Sequence, residues 1–201
     1  MYKRQVAGCD LVSADGQAVV WSARLLRQPL PGRVAGIDLM HELLTLAERE
    51  GWRVYFLGAR REVLDRAVER IRKRHPGLEV AGARDGYFTR DQEPHVREAI
   101  RAARPHLLFV AISSPRKEYW LAEHVRALGV PFSMGVGGAL DVEAGFVRRA
   151  PGWMQRAGLE WLFRLLQDPR RLLRRYVVGN ARFLALVARE LVRPRARGEA
   201  A

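Results

Sequence analysis

The chain has 201 residues, 48% of them hydrophobic and 28% charged, with a formal net charge of +13. That length suits one α/β domain with a small appendage, and the apolar share supports a substantial core, so disorder is not the default. A single cysteine excludes an intrachain disulfide, and no apolar run approaches the length needed to cross a bilayer.

The charge is unevenly spread. Residues 148–201 hold 13 Lys and Arg against 4 Asp and Glu, a net +9, which leaves +4 for residues 1–147. An anionic partner is therefore expected at the C-terminal end.

The chain opens with MYKRQVAGCDLV, which has neither the apolar core nor the cleavage site of a signal peptide. It reaches an apolar run after five residues, so the natural chain is expected to begin earlier, with its first strand missing here. Cys9 lies between apolar neighbours and is expected to be a buried structural thiol. The apolar run before Asp15 reads as a strand, and residues 16–26 and 36–51 read as helices joined by a proline-rich link.

Short apolar runs then alternate with amphipathic ones. Strands are expected at 52–58, 78–84, 106–112 and from 130 into a glycine loop ending at 138. Helices are expected at 61–75, 91–104 and 115–129, with Asp91 as the N-cap of the second and Pro94 in its first turn. Two helices should follow, at 151–167 and 168–192, the latter capped by Asp168 with Pro169 at its first position. Repeated strand–helix units imply crossovers, hence a parallel sheet covered on both faces. The predicted fold class is α/β, a Rossmann-like parallel sheet with flanking helices and a C-terminal basic helical appendage. Its parts are a core at 1–147, the appendage at 148–192 and a disordered tail at 193–201.

In such sheets the ligand crevice lies beyond the carboxyl ends of the strands. Asp15 falls there. Spacing alone favours a turn or cap aspartate, with a general base or a ribose or metal ligand as the alternative. Arg33, among loop formers, could reach a diphosphate or remain solvated. Gly135, Gly137 and Gly138 permit close backbone approach to phosphate or ribose oxygens, and Asp141 suits a ribose or base; a tight structural turn is the competing explanation. The five histidines show no metal-ligand spacing, so no metal and no cofactor are assigned. Arg164, Arg171, Arg175, Arg182 and Arg189 are spaced to share one helix face, apart from any break near Pro169, beside Phe163, Leu166, Leu173, Val177 and Leu184. A basic amphipathic helix suits an anionic membrane surface. A solvated face and nucleic acid are the other readings, and no nucleic-acid-binding signature accompanies the charge, so nucleic acid is disfavoured.

Taken together, LVSADGQAVVWSARLLRQPLPGRVAGIDLM and GVGGALDVEAGFVRRAPGWMQRAGLEWLFRLLQDPRRLLRRY resemble the WecG/TagA/CpsF glycosyltransferases, glycosyltransferase family 26. The resemblance covers residues 10–183. It implies an inverting, metal-independent transferase. Such an enzyme moves N-acetylmannosamine or its uronic acid from a UDP donor to a polyprenyl-diphosphate-linked sugar. It would work as a peripheral protein on the cytoplasmic face of the membrane, in cell-surface polysaccharide synthesis. By motif, Asp15 resembles the proposed general base and Arg33 an arginine near the donor diphosphate. Asp141 and the glycines fall in the UDP-binding stretch. Arg164, Arg171 and Arg174 match appendage arginines that meet the lipid diphosphate or leaving group. The family's Thr-x-Asn stretch has no counterpart here. Lys117 stands where the family usually has glutamine, which points to a different sugar. The resemblance is compatible with a dimer or trimer. The alternative reading is a Rossmann-like nucleotide- or nucleic-acid-binding module without transferase activity.

Overall fold

The structure is a computed structural model that describes residues 3–28 and 30–192, apart from the side chains of Lys3, Arg171, Arg174 and Arg175. The expected tail at 193–201 lies outside the described residues. The chain forms two compact units. The first contains Val34–Arg148 and the described residues before Ala14; the second contains Ala14–Arg33 and the described residues from Arg149 onward. The segment from Ala14 to Arg33 thus groups with the C-terminal helices, whereas the sequence reading placed it with the core.

In the first unit, β1 (Val54–Gly58), β2 (Val80–Arg84), β3 (Leu107–Ala111) and β4 (Phe132–Gly135) form a fully parallel sheet in the order β2-β1-β3-β4. This is the Rossmann-like α/β arrangement read from the sequence. The two central strands, β1 and β3, are buried along their whole length, which explains why their sequences are continuous apolar runs rather than alternating ones.

Successive residues of β1 point to opposite faces. On one face Val54 and Phe56 meet α3 (Gly36–Glu50) and α4 (Arg61–Arg74), which contribute Met40, Leu44, Leu64 and Ile71. Phe56 stacks on Phe109 with ring centroids 5.6 Å apart. On the other face Tyr55 and Leu57 meet α5 (Glu93–Ala103) and α6 (Arg116–Leu128), through Val96, Ile100, Trp120 and Leu128. Left-handed Gly51 and Gly129 end α3 and α6, as their positions after the last apolar turn imply.

Several local expectations are corrected. Residues 9–16 are irregular, not a strand: Leu11 and Val12 are 70% and 63% exposed, and a short apolar run with no neighbour has no ladder to satisfy its backbone. Cys9 is exposed rather than buried, because it follows the short helix α1 (Lys3–Ala7) and its thiol turns back to donate to Gln5 O. Helix α5 starts at Glu93 with Gln92 as its N-cap, so Asp91 sits in the preceding turn and not at the cap.

A five-residue helix, α7 (Ala139–Glu143), follows the glycine loop. It is shorter than any window in which periodicity can register.

The second unit contains α2 (Gln17–Leu25), α8 (Gly152–Arg156), α9 (Glu160–Gln167) and α10 (Pro169–Val192). The helix expected over 151–167 is broken by Gly158, whose φ of +73° leaves the right-handed helical region. Helix α10 begins at Pro169 directly after Asp168, as read from the sequence.

Candidate active-site residues

The order β2-β1-β3-β4 means that the chain winds outward from β1 to β2 and then restarts on the other side of β1. The switch point lies between β1 and β3, and crevices in such sheets open beyond the carboxyl ends there. Gly58 ends β1 with φ +122°, and a Cβ at this residue would lie 2.5 Å from the Ala111 carbonyl carbon and 2.7 Å from Ile112 N. Only glycine permits this approach of the two strand ends.

The neighbouring β4 end carries the glycine run. Lys117, on the first turn of α6, lays its chain against it: a Cβ on Gly135 would sit 2.8 Å from Lys117 Cδ and Cε, and one on Gly137 would sit 3.9 Å from Nζ. Lys117 Nζ also lies 3.4 Å from Glu118 Oε1, which accepts a hydrogen bond from Ser114 Oγ at 2.9 Å. Asp141 Oδ2 stands 3.8 Å from the Cβ position of Gly138. The structure thus gathers Gly135, Gly137, Gly138, Asp141 and Lys117 at one strand end. A side chain at the first glycine would displace the lysine. An ammonium beside bare backbone suits an anionic oxygen, and the Asp141 carboxylate three residues beyond Gly138 suits hydroxyls.

Helix α7 is too short to hold its own orientation. Glu143, 3% exposed, ties it to the helices behind: its Oε2 accepts from His41 Nε2 at 2.8 Å and from Arg74 Nη1 at 3.0 Å. Burial pushes the Glu143 carboxyl up, but the His41 and Arg74 hydrogen bonds outweigh it and hold the group below the ordinary glutamate range. Nothing in the local sequence pattern had marked this residue.

In the second unit, Arg33 is the centre. Its Nε donates to the Asp15 carbonyl at 2.7 Å and stands 3.9 Å from Asp15 Oδ1. Its Nη2 donates to Glu160 Oε2 at 2.5 Å. The Asp15 side chain remains 68% exposed while that of Arg33 is 16% exposed. Glu160 Oε1 is also 3.6 Å from Arg164 Nη2 and 4.0 Å from Arg149 Nε. Among the described residues, three guanidiniums and two carboxylates therefore meet, with the Asp15 carboxylate exposed to solvent.

The sequence reading selected Asp15, Arg33 and Arg164, and the structure brings them together. It missed Glu160 and Arg149. A signal for Glu160 was present: an acid at the first position of a helix is favoured by the helix dipole, and Glu160 with Arg164 is a Glu-then-Arg pair at four-residue spacing.

The side chains of Arg171 and Arg174 lie outside the described residues. Arg164 belongs to α9 and Arg182 and Arg189 to α10, with Asp168 (φ −141°, ψ 68°) between them, so the helix breaks next to Pro169, where the sequence allows for it. On α10, exposed Leu173, Val177 and Leu184 accompany exposed Arg182 and Arg189. No helix among the described residues is long and apolar enough to cross a membrane.

Residues 1–197 match the profile described as the glycosyl transferase WecG/TagA/CpsF family. Among curated proteins, the chain is similar to three named N-acetylglucosaminyldiphosphoundecaprenol N-acetyl-beta-D-mannosaminyltransferase. That of Bacillus spizizenii strain W23 is 36% identical over 170 residues, covering 85% of this chain and 65% of the relative. That of Bacillus subtilis strain 168 is 34% identical over 164 residues, covering 82% and 63%. That of Staphylococcus aureus strain MW2 is 34% identical over 171 residues, covering 85% and 66%. The matched region thus spans slightly less than two thirds of the length of these relatives. With the parallel sheet, the glycine run beside Lys117 and the Asp15–Arg33–Glu160 cluster in place, a profile match over nearly its whole length shows that this chain belongs to the WecG/TagA/CpsF family of glycosyl transferases.

Proposed function

We propose that the protein transfers an N-acetylmannosamine-type sugar, or its uronic acid, from a UDP donor to a polyprenyl-diphosphate-linked N-acetylglucosamine. The reaction inverts the anomeric centre, needs no metal, and takes place at the cytoplasmic face of the membrane. The observation that carries this reading is the likeness, at 34–36% identity, to relatives named for transferring N-acetylmannosamine to N-acetylglucosaminyldiphosphoundecaprenol; the donor, the stereochemistry and the metal independence follow the family resemblance.

The residues suit such chemistry. In the first unit Gly135, Gly137 and Gly138 offer backbone N–H groups, Lys117 a cation and Asp141 a hydroxyl acceptor for a nucleoside diphosphate sugar. In the second unit the exposed Asp15 carboxylate takes the proton of the acceptor hydroxyl. The hydroxyl oxygen then bonds to the anomeric carbon from the face opposite the diphosphate. The bond from that carbon to the diphosphate oxygen breaks, and UDP departs with the electron pair. Arg33 and Arg164 are the guanidiniums suited to the charge that develops on the leaving group, the role a metal ion fills in other transferases. Arg171 and Arg174 are assigned by resemblance to the same diphosphate or to that of the lipid.

The test is UDP release from UDP-N-acetylmannosamine with a short-chain GlcNAc-diphospholipid, with and without a chelator. Turnover should survive the chelator, and Asp15→Asn should lower kcat by about 10²- to 10⁴-fold while leaving the melting temperature unchanged. A protein that neither releases UDP nor is thermally stabilised by it would sink the reading.

A further inference from the structure

The second unit contains a buried carboxylate with no role in the reaction just described. Glu160 has one oxygen on Arg33 at 2.5 Å and the other within 3.6 Å of Arg164 and 4.0 Å of Arg149, and only 11% of its side chain is exposed. A carboxylate leaves water only when hydrogen bonding and charge return what solvation is lost. Here three guanidiniums do so. They in turn would repel one another without it.

Its placement is over-determined. Glu160 begins α9, where the helix dipole favours an acid, and left-handed Gly158 two residues earlier sets the direction in which that helix starts. Arg33 has no helix of its own; it sits in an irregular link. Among the described residues its head donates to the Asp15 carbonyl from Nε and to Glu160 from Nη2, and Asp15 Oδ1 stands 3.9 Å from Nε. These two donors lie on one edge of the planar guanidinium, so together they fix its plane.

We propose that Glu160 is a positioning residue: it fixes the Arg33 guanidinium plane and draws Arg164 and Arg149 beside it before any anion binds. This rests on the reading that Arg33 and Arg164 meet a diphosphate. Preorganised donors stabilise developing charge without reorganising at the moment of reaction, so the effect belongs mainly to turnover. Removing Glu160 adds net positive charge to the cluster. If bulk charge mattered most, the change would strengthen donor binding. If orientation matters, kcat falls although the charge has become more favourable.

The experiment compares wild type, Glu160→Gln, Glu160→Asp, Arg33→Lys and the double variant Arg33→Lys/Glu160→Gln, each checked for an intact thermal transition. Expected is a fall in kcat of about tenfold or more for Glu160→Gln with KM for the UDP-sugar changed less than about threefold, and partial recovery in Glu160→Asp, which keeps the charge. The double variant should be no slower than Arg33→Lys alone, because the two act as one unit. Additive losses, or a kcat unchanged per folded molecule, would overturn the proposal.

A second readout does not need turnover. The Arg33 Nε–H signal, assigned by its loss in Arg33→Lys, should exchange slowly with solvent in wild type and rapidly in Glu160→Gln, in the intact chain. Equal exchange in both proteins means that the Asp15 carbonyl alone positions Arg33, and the proposal fails. If wild type transfers no sugar while this signal behaves as expected, the transferase reading has failed and the positioning role stands.

Discussion

A buried carboxylate can hold a short helix only while it carries its charge. Glu143 anchors α7 to His41 and Arg74, and those hydrogen bonds hold its folded pKa below the ordinary value. A depressed folded value means that this stabilisation is complete above the ordinary glutamate range and is lost as pH falls through the depressed value. Glu143→Gln should therefore lower stability by about 1–3 kcal/mol at neutral pH, and urea midpoints of the two proteins should converge under acid conditions. A gap that stayed constant with pH would assign the cost to packing instead. The residues that carry this anchor come from α3, α4 and α7, and no single window of sequence contains them. Arg33 and Glu160 are likewise 127 positions apart. Local patterns show which side chains are chemically able to act; Asp15 and Arg33 were legible as candidates in that way, and Lys117 only through the family resemblance. Which distant partner orients each one depends on tertiary closure, and that was not legible.

The elements between residues 52 and 138 follow closely from periodicity. β1 and β3 are apolar throughout because both their faces are covered, and α4 presents Val63, Leu64, Ala67, Val68 and Ile71 on one side as their spacing demands. The failures share a cause. The run at 9–16 has strand composition but no partner strand, and α7 is too short to show a period. The break at Gly158 hides inside a stretch that is otherwise helical in composition. That break has a measurable cost if it is filled. Gly158→Ala places an L side chain at φ +73° and brings its Cβ to 2.6 Å from Gln17 Cγ, the flexible part of a side chain that can give way. The strained backbone then dominates, and a loss of about 1 kcal/mol in unfolding free energy is expected. A variant as stable as wild type would show that α8 and α9 had merged into the helix that the sequence first suggested, and Glu160 would then be displaced from Arg33.

Over the whole molecule most of the excess charge lies in residues 148–201, where Arg182 and Arg189 share α10 with exposed Leu173, Val177 and Leu184. If this surface meets anionic lipid, each arginine contributes about 1 kcal/mol near the headgroups. Arg182→Glu/Arg189→Glu should therefore weaken binding to vesicles containing anionic phospholipid by well over tenfold. Wild-type binding should fall with added salt, and vesicles of neutral lipid alone should bind poorly. Binding indifferent to both charge and salt would leave only the apolar side chains to explain it.

The second unit also has a consequence in time. It is assembled from two stretches of chain separated by more than a hundred residues, so Arg33 leaves the ribosome long before the carboxylate that orients it. At roughly 5–20 residues per second, those 127 positions take about 6–25 s to synthesise. The strands and crossovers of the first unit are all synthesised within that interval, while Arg33 has Asp15 but not yet Glu160 on the nascent chain. The order of translation thus delays the cluster around Glu160 until after the strands of the first unit have been synthesised.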